Sequence, residues 1–237
     1  MGIAAARARY EEISDQTRRL SDFQVPDLER SRRFFELSSP GFRTRPFDVI
    51  TCVVGLPLPG DLQRALVDKR NEVLGLIPAA ARVYQVAPAC LHWEAHIIKR
   101  PDEPDPSTPM EDLERAVRRA VGETPAFPIE FGGFFVSREG AVCFEGLGRW
   151  DLLRRRLGEQ LACSSAYQLD TGHVSAARIL DPIGPSVFSR LVALREASSS
   201  DRYGTLMVEE VKLVLERRWY MEDHTVACVA RTQGTGD

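Results

Sequence analysis

Two short apolar stretches of this chain each carry a histidine in a strand-like setting: Leu91-His92-Trp93-Glu94-Ala95-His96-Ile97-Ile98 and Gly172-His173-Val174-Ser175-Ala176-Ala177-Arg178-Ile179. Side chains of a strand alternate between its faces, so His92 shares a face with Glu94, and His173 shares one with Ser175. Each stretch therefore offers an imidazole beside a second polar group. A lone histidine in an apolar run is more often a hydrogen-bonded core residue. Here, however, two of only four histidines fall in matching contexts 81 residues apart.

Two imidazoles facing each other across a cleft suit in-line displacement at phosphorus. One takes a proton from the nucleophile while the other gives one to the leaving oxygen. Histidine fits both tasks, because an unperturbed pKa of about 6.5 leaves both protonation states accessible near neutrality.

The second stretch resembles the His-x-Thr/Ser motif of the two-histidine phosphoesterase superfamily, which includes the RNA ligase-like cyclic phosphodiesterases; the first resembles its partner with one substitution. Residues 47–57, Phe47-Asp48-Val49-Ile50-Thr51-Cys52-Val53-Val54-Gly55-Leu56-Pro57, followed by a helical Leu62/Ala65/Leu66/Val73 pattern, are similar to the family's opening strand, turn and first helix. Residues 208–215 resemble its closing strand pair, so the likeness runs from about residue 47 to 231. It implies an α+β, two-lobed duplicated fold, with antiparallel sheets lining a central cleft and helices on the outside. It also implies action on a 2′,3′-cyclic phosphate or 2′-5′ phosphodiester of an RNA end or small nucleotide. His92 and His173 would be the catalytic pair, Ser175 and Glu94 would bind substrate, and no cofactor or metal would be required.

Composition is compatible with this reading. A chain of 237 residues with 43% hydrophobic content is long enough for one large core. A formal charge of −3 argues against long duplex nucleic acid as partner, since phosphate-driven binding relies on clustered Lys and Arg. The five cysteines stand singly, with no Cys-x-x-Cys pair, and read as reduced residues of a cytoplasmic protein. Residues 1–16 are broken by Arg7, Arg9, Glu11 and Glu12, unlike a secretory signal, and no run approaches the ~20 apolar residues of a membrane span.

Two parts are expected: an N-terminal helical extension over residues 1–46, and a two-histidine phosphoesterase-like domain over 47–234. In the extension, Tyr10, Ile13, Thr17 and Leu20 recur at helical spacing, and a second helix is expected over 27–37. Pro101, Pro104 and Pro106 mark a surface loop after the first motif. The next helix has Thr108 placed as cap, Pro109 at its first position, Glu111 closing a capping box and Gly122 ending it. A hairpin over 127–136 and 141–146 precedes a helix marked by Trp150, Leu153, Leu157 and Leu161. A helix over 186–197 and two strands, over 206–215 and 220–230, follow the second motif.

Glu94 stands where the family motif has Thr or Ser. A hydroxyl donates to a phosphate oxygen and an ionised carboxylate cannot; two unit charges ~4 Å apart repel by about 4 kcal/mol at an effective dielectric near 20. This leaves two alternatives to the enzyme: a catalytically inactive nucleotide-binding member of the fold, and a metal protein using His92, Glu94 and His96. The latter three lie at i, i+2 and i+4 but span ~13 Å of strand, too far to converge without a bulge. Strict alternation puts Arg178 on the face opposite His173, as a structural residue. His224 has no partner motif, and Trp219 and Tyr220 are candidates to stack on a base.

Overall fold

The structure is a computed structural model that describes residues 3–37 and 43–234. The order of elements is α1 (Ile3–Arg18), α2 (Val25–Arg32), β1 (Phe35–Glu36), β2 (Arg43–Thr44), β3 (Pro46–Val54), α3 (Gly60–Leu74), β4 (Val83–Gln85), β5 (Trp93–Lys99), α4 (Met110–Gly122) and β6 (Phe127–Val136). There follow β7 (Ala141–Gly148), α5 (Asp151–Gln160), β8 (Gly172–Ile179), α6 (Pro185–Ala197), β9 (Gly204–Val208), β10 (Glu210–Arg218) and β11 (Asp223–Arg231). β1 and β2 form a small separate ribbon. The remaining strands make one curled antiparallel half-barrel in the order β11-β10-β3-β5-β8-β7-β6-β9, with β4 also on β8.

The sheet divides into two four-stranded lobes whose inner strands, β5 and β8, carry the two histidine motifs. They meet at a single pair, Trp93 opposite Val174. Below this seam lies the core, where Trp93, Trp150, Phe131, Phe134 and Phe144 are fully buried. β3 is buried on both faces from Val49 to Val54 and apolar there except for Thr51, as its position inside the sheet requires. α4 buries Leu113, Val117, Ala120 and Val121 as one stripe and packs on α5, β10 and β11.

Both inner strands are bulged, and at matching places. Val53 pairs with Glu94 and Cys52 with His96, which skips Ala95; Cys143 pairs with Ser175 and Val142 with Ala177, which skips Ala176. In each lobe the extra residue directly follows the motif's second polar side chain. The likeness of the lobes, slight in sequence, is plain in this shared irregularity.

Three local expectations are corrected. The strand expected over 206–215 is two strands: β9 pairs with β6 in one lobe and β10 with β3 in the other, so the chain crosses between lobes at Glu209. Thr108 caps nothing; Pro109 holds the N-cap position of α4 with extended backbone and no side-chain cap. The second N-terminal helix stops at Arg32, and Phe35 and Glu36 turn into β1. The extension packs tightly on the second lobe. Tyr10 is 1% exposed, and its hydroxyl donates to the Gly146 carbonyl (2.9 Å) and accepts the Gly172 N–H (3.0 Å). This insertion sits where β7 and β8 leave no room for a side chain: a Cβ on Gly146 would lie 2.0 Å from the Gly172 oxygen. Among the described residues no helix is long and apolar enough to cross a membrane.

Candidate active site

β5 and β8 form the floor of a cleft of about 790 Å³. His92, Glu94, His173 and Ser175 all line it, so alternation places these four side chains together as the sequence implies. Past the bulges, alternation fails. The extra residue at Ala176 returns the next side chain to the cleft one position later than alternation allows, so Arg178 lines the cleft with Ser175. The expectation that Arg178 is a structural residue on the far face is therefore corrected. It donates through Nη1 to Ser31 Oγ (3.0 Å) on α2 and through Nε to the Tyr220 hydroxyl.

The bulge at Ala95 acts in the opposite sense on His96. That imidazole is 5% exposed, turned away from the cleft, and bonded through Nε2 to Ser164 Oγ at 2.8 Å. Burial and the Arg154 charge lower its pKa to about 4. A metal set of His92, Glu94 and His96 is thus contradicted: the irregularity needed to gather them exists and separates them. Among the described residues no other cluster of three His, Cys, Asp or Glu side chains is arranged to hold an ion.

Each catalytic candidate is held through Nδ1. His92 Nδ1 lies 2.7 Å from the Cys90 carbonyl oxygen, which accepts only, so Nδ1 carries the proton and Nε2 is presented to the cleft. His173 Nδ1 meets Thr171 Oγ1 at 2.8 Å, a hydroxyl able to donate or accept, and the edge of Phe135 supports the ring. Burial lowers both pKa values. At His173 the nearby Arg154 and Arg178 add to burial, reaching about 3, whereas at His92 the Cys90 carbonyl and Glu94 oppose it.

Glu94 is neither turned away nor bonded to His92. Its Oε1 accepts from Thr51 Oγ1 on β3 at 2.7 Å, and Thr51 also approaches the His96 carbonyl at 2.9 Å. A second carboxyl, Glu216 on β10, lines the same half of the cleft. Burial, with the neighbouring Glu94 charge, raises its pKa to about 8, so it is neutral at pH 7. Its Oε1 accepts the Met221 N–H at 2.8 Å. Tyr220 and Met221 hold left-handed backbone, with φ of 63° and 59°. This costly conformation aims one hydroxyl at Arg178 and one amide at Glu216.

The cleft is thus polarised. His173 has Ser175, Arg178 and the Tyr220 hydroxyl beside it; His92 has Glu94 and Glu216. Ser175 Oγ has among the described residues only the Cys143 thiol, at 3.6 Å, where either group can donate, and it lines the cleft. The walls come from parts the motifs do not mark: Arg9, Ile13 and Gln16 of α1, Arg30 and Arg33 from the α2 region, and Arg100 against the ring of Tyr167 at 4.4 Å. Trp219 lines the cleft but is stacked on Phe34, centroids 4.4 Å apart and planes 2° from parallel. His224 bonds to the Met221 carbonyl (2.8 Å) and is not part of the lining. Of the missed residues, Arg178 had one sequence signal, an alanine directly after the polar residue in both motifs.

Comparison with solved structures finds this fold in known proteins. TT0787 of Thermus thermophilus superposes with a TM-score of 0.57 at 15% identity, covering 79% of this chain and 100% of its own. Escherichia coli LigT, solved with NADP+, gives a TM-score of 0.52 at 16% identity over 79% of this chain and 99% of LigT. The fold is that of the two-histidine phosphoesterases. LigT solved with phosphate superposes equally well, with a TM-score of 0.52 at 16% identity over the same shares. No family model and no curated protein sequence matches the chain. The two-histidine phosphoesterase likeness is therefore one of fold, and the chemistry rests on the side chains above.

Proposed function

We propose that this protein is a phosphoesterase acting on a 2′,3′-cyclic phosphate or 2′-5′ phosphodiester of an RNA end or small nucleotide, by acid–base catalysis between His92 and His173. The observation that carries this reading is the pairing of two cleft imidazoles, each fixed through Nδ1, beside a hydroxyl and a guanidinium on one strand. Ser175 and Arg178 supply a donor and a positive charge for phosphate oxygens. That LigT has been crystallised with NADP+, with 3′-AMP and with phosphate supports a nucleotide-sized, phosphate-bearing ligand.

The surrounding charges assign the roles. Burial, with the charges of Arg154 and Arg178, favours neutral His173, so it serves as base: it takes a proton from water as the water oxygen bonds to phosphorus. Glu94 favours the charged form of His92, so it serves as acid and protonates the ribose oxygen as its bond to phosphorus breaks. Glu94 in this scheme is a charge partner for the His92 imidazolium, and Thr51 holds it there. Turnover of 2′,3′-cyclic nucleotides and 2′-5′ dinucleotides by wild type, His92→Ala and His173→Ala tests the reading. Binding without turnover in the wild type would instead make the chain a nucleotide-binding member of the fold.

A further inference from the structure

The seam between the lobes is the weakest point of the sheet, and it is where the two imidazoles must be kept in register. β5 and β8 share one ladder pair there. Beneath the seam, the guanidinium of Arg154 on α5 donates Nε to the Ala95 carbonyl (3.0 Å), Nη1 to Leu169 (2.9 Å), and Nη2 to both Glu94 (3.1 Å) and Thr171 (2.8 Å). Two of these carbonyls belong to β5 and two to the segment that enters β8. Glu94 O is two residues from His92, and Thr171 O is two from His173. The bulge explains the first contact: Ala95 drops out of the β3 ladder, and Arg154 takes its carbonyl. The indoles of Trp93 and Trp150 lie 5.4 and 5.7 Å from the guanidinium carbon and fix its plane.

We propose that Arg154 is the positioning residue of this site, a planar clamp that joins the two lobes and sets the separation of His92 and His173. Arginine suits this role because its five N–H donors lie in one rigid plane, so four carbonyls on two segments are fixed relative to one another. A lysine carries the charge but not the plane. Arg154 touches neither cleft nor ligand, and acts through the backbone under both imidazoles. Its charge also bears on His173, together with those of Arg178 on β8 and His92 just before β5, while Glu145 on β7 is the ladder partner of His173.

The proposal rests on the two-histidine reading for its kinetic arm alone; the spectroscopic arms stand without any substrate. In wild-type protein, NMR should show the Arg154 Nη protons as separate, slowly exchanging signals, and averaged, fast-exchanging signals would overturn the clamp. In Arg154→Gln, His173 should titrate higher by about one unit or more, while the control Arg155→Gln leaves it unchanged. In Arg154→Lys, the His173 titration should stay near that of wild type. On 2′,3′-cyclic AMP, kcat of both Arg154 variants should fall on the order of a hundredfold with KM nearly constant, as expected for reacting groups displaced by about an ångström. Wild-type kcat in Arg154→Lys would show that charge alone suffices and would overturn the proposal. Absence of turnover in wild type, with the spectroscopic results as expected, would count against the proposed function and leave the clamp standing.

Discussion

Binding of a phosphodiester should draw about one proton from solution at pH 7, and that proton should go to His92. In the empty cleft both imidazoles are held towards neutrality, His173 at about 3 by burial and two arginines. A monoanionic phosphate ~4 Å from each ring, at an effective dielectric near 20, favours each imidazolium by about 4 kcal/mol, or roughly three pKa units. At His173 this lift works against burial and the Arg154 and Arg178 charges together, which favour the neutral ring that acts as base. The same lift at His92 adds to the Glu94 charge, and both oppose burial there, so His92 is the ring on which a bound phosphate favours the imidazolium. Titration calorimetry with a slowly hydrolysed 2′,3′-cyclic phosphorothioate, in two buffers of different ionisation enthalpy, reads the proton count directly. His92→Ala should abolish the uptake and His173→Ala should preserve it. No uptake in wild type, or uptake that survives His92→Ala, would refute the assignment of roles.

Glu94→Gln should lower kcat by roughly tenfold to a hundredfold and move the alkaline limb of the pH–rate profile to lower pH, because His92 loses the charge that favours its acid form; steady-state kinetics over pH 5 to 9 reads both. Tyr10→Phe should cost about 1–3 kcal/mol in denaturant unfolding, since it leaves the Gly172 N–H and Gly146 carbonyl without their buried partner. Glu216, neutral when folded up to about pH 8 and ionised when unfolded above about 4.5, binds more protons folded than unfolded in that window. Stability should therefore fall as pH rises from 6.5 to 8, by roughly 2 kcal/mol from this group, and Glu216→Gln should flatten that slope. Below about pH 6.5 the sign reverses: His92, His96 and His173, all lowered, bind fewer protons folded than unfolded, so acid destabilises until the folded values of about 4 for His96 and about 3 for His173 are passed.

The sequence was most legible where a period of two holds. His92 with Glu94 and His173 with Ser175 fall on one face in both sequence and structure, because two residues of strand leave no room for a register change. One residue later the bulges intervene, and reading onward by alternation sends Arg178 out of the cleft and His96 into it, the reverse of what the chain does. An inserted residue alters no composition or periodicity, so only the alanines beside it hint at its place. The split of residues 206–215 between lobes was hidden for a similar reason, since one apolar run serves two partners with a single polar residue, Glu209, at the crossing. Long-range closure was least legible. Tyr10 bonds to a glycine 162 residues away, and Arg154 opens a run of three arginines whose next member, Arg155, is solvated. Glu216 alternates like any surface charge of a strand, yet it is buried, and the left-handed turn at Tyr220 and Met221 brings an amide to it.

The central claim is that two histidines, with no metal, break a phosphodiester in this cleft. The most direct test is hydrolysis of 2′,3′-cyclic nucleotides by purified protein in excess chelator, comparing wild type with His92→Ala and His173→Ala of verified fold. Turnover should persist in chelator and fall by ~10²–10⁴-fold in each variant. Near wild-type turnover in either variant, or activity that vanishes with chelator and returns with a divalent cation, would contradict the claim.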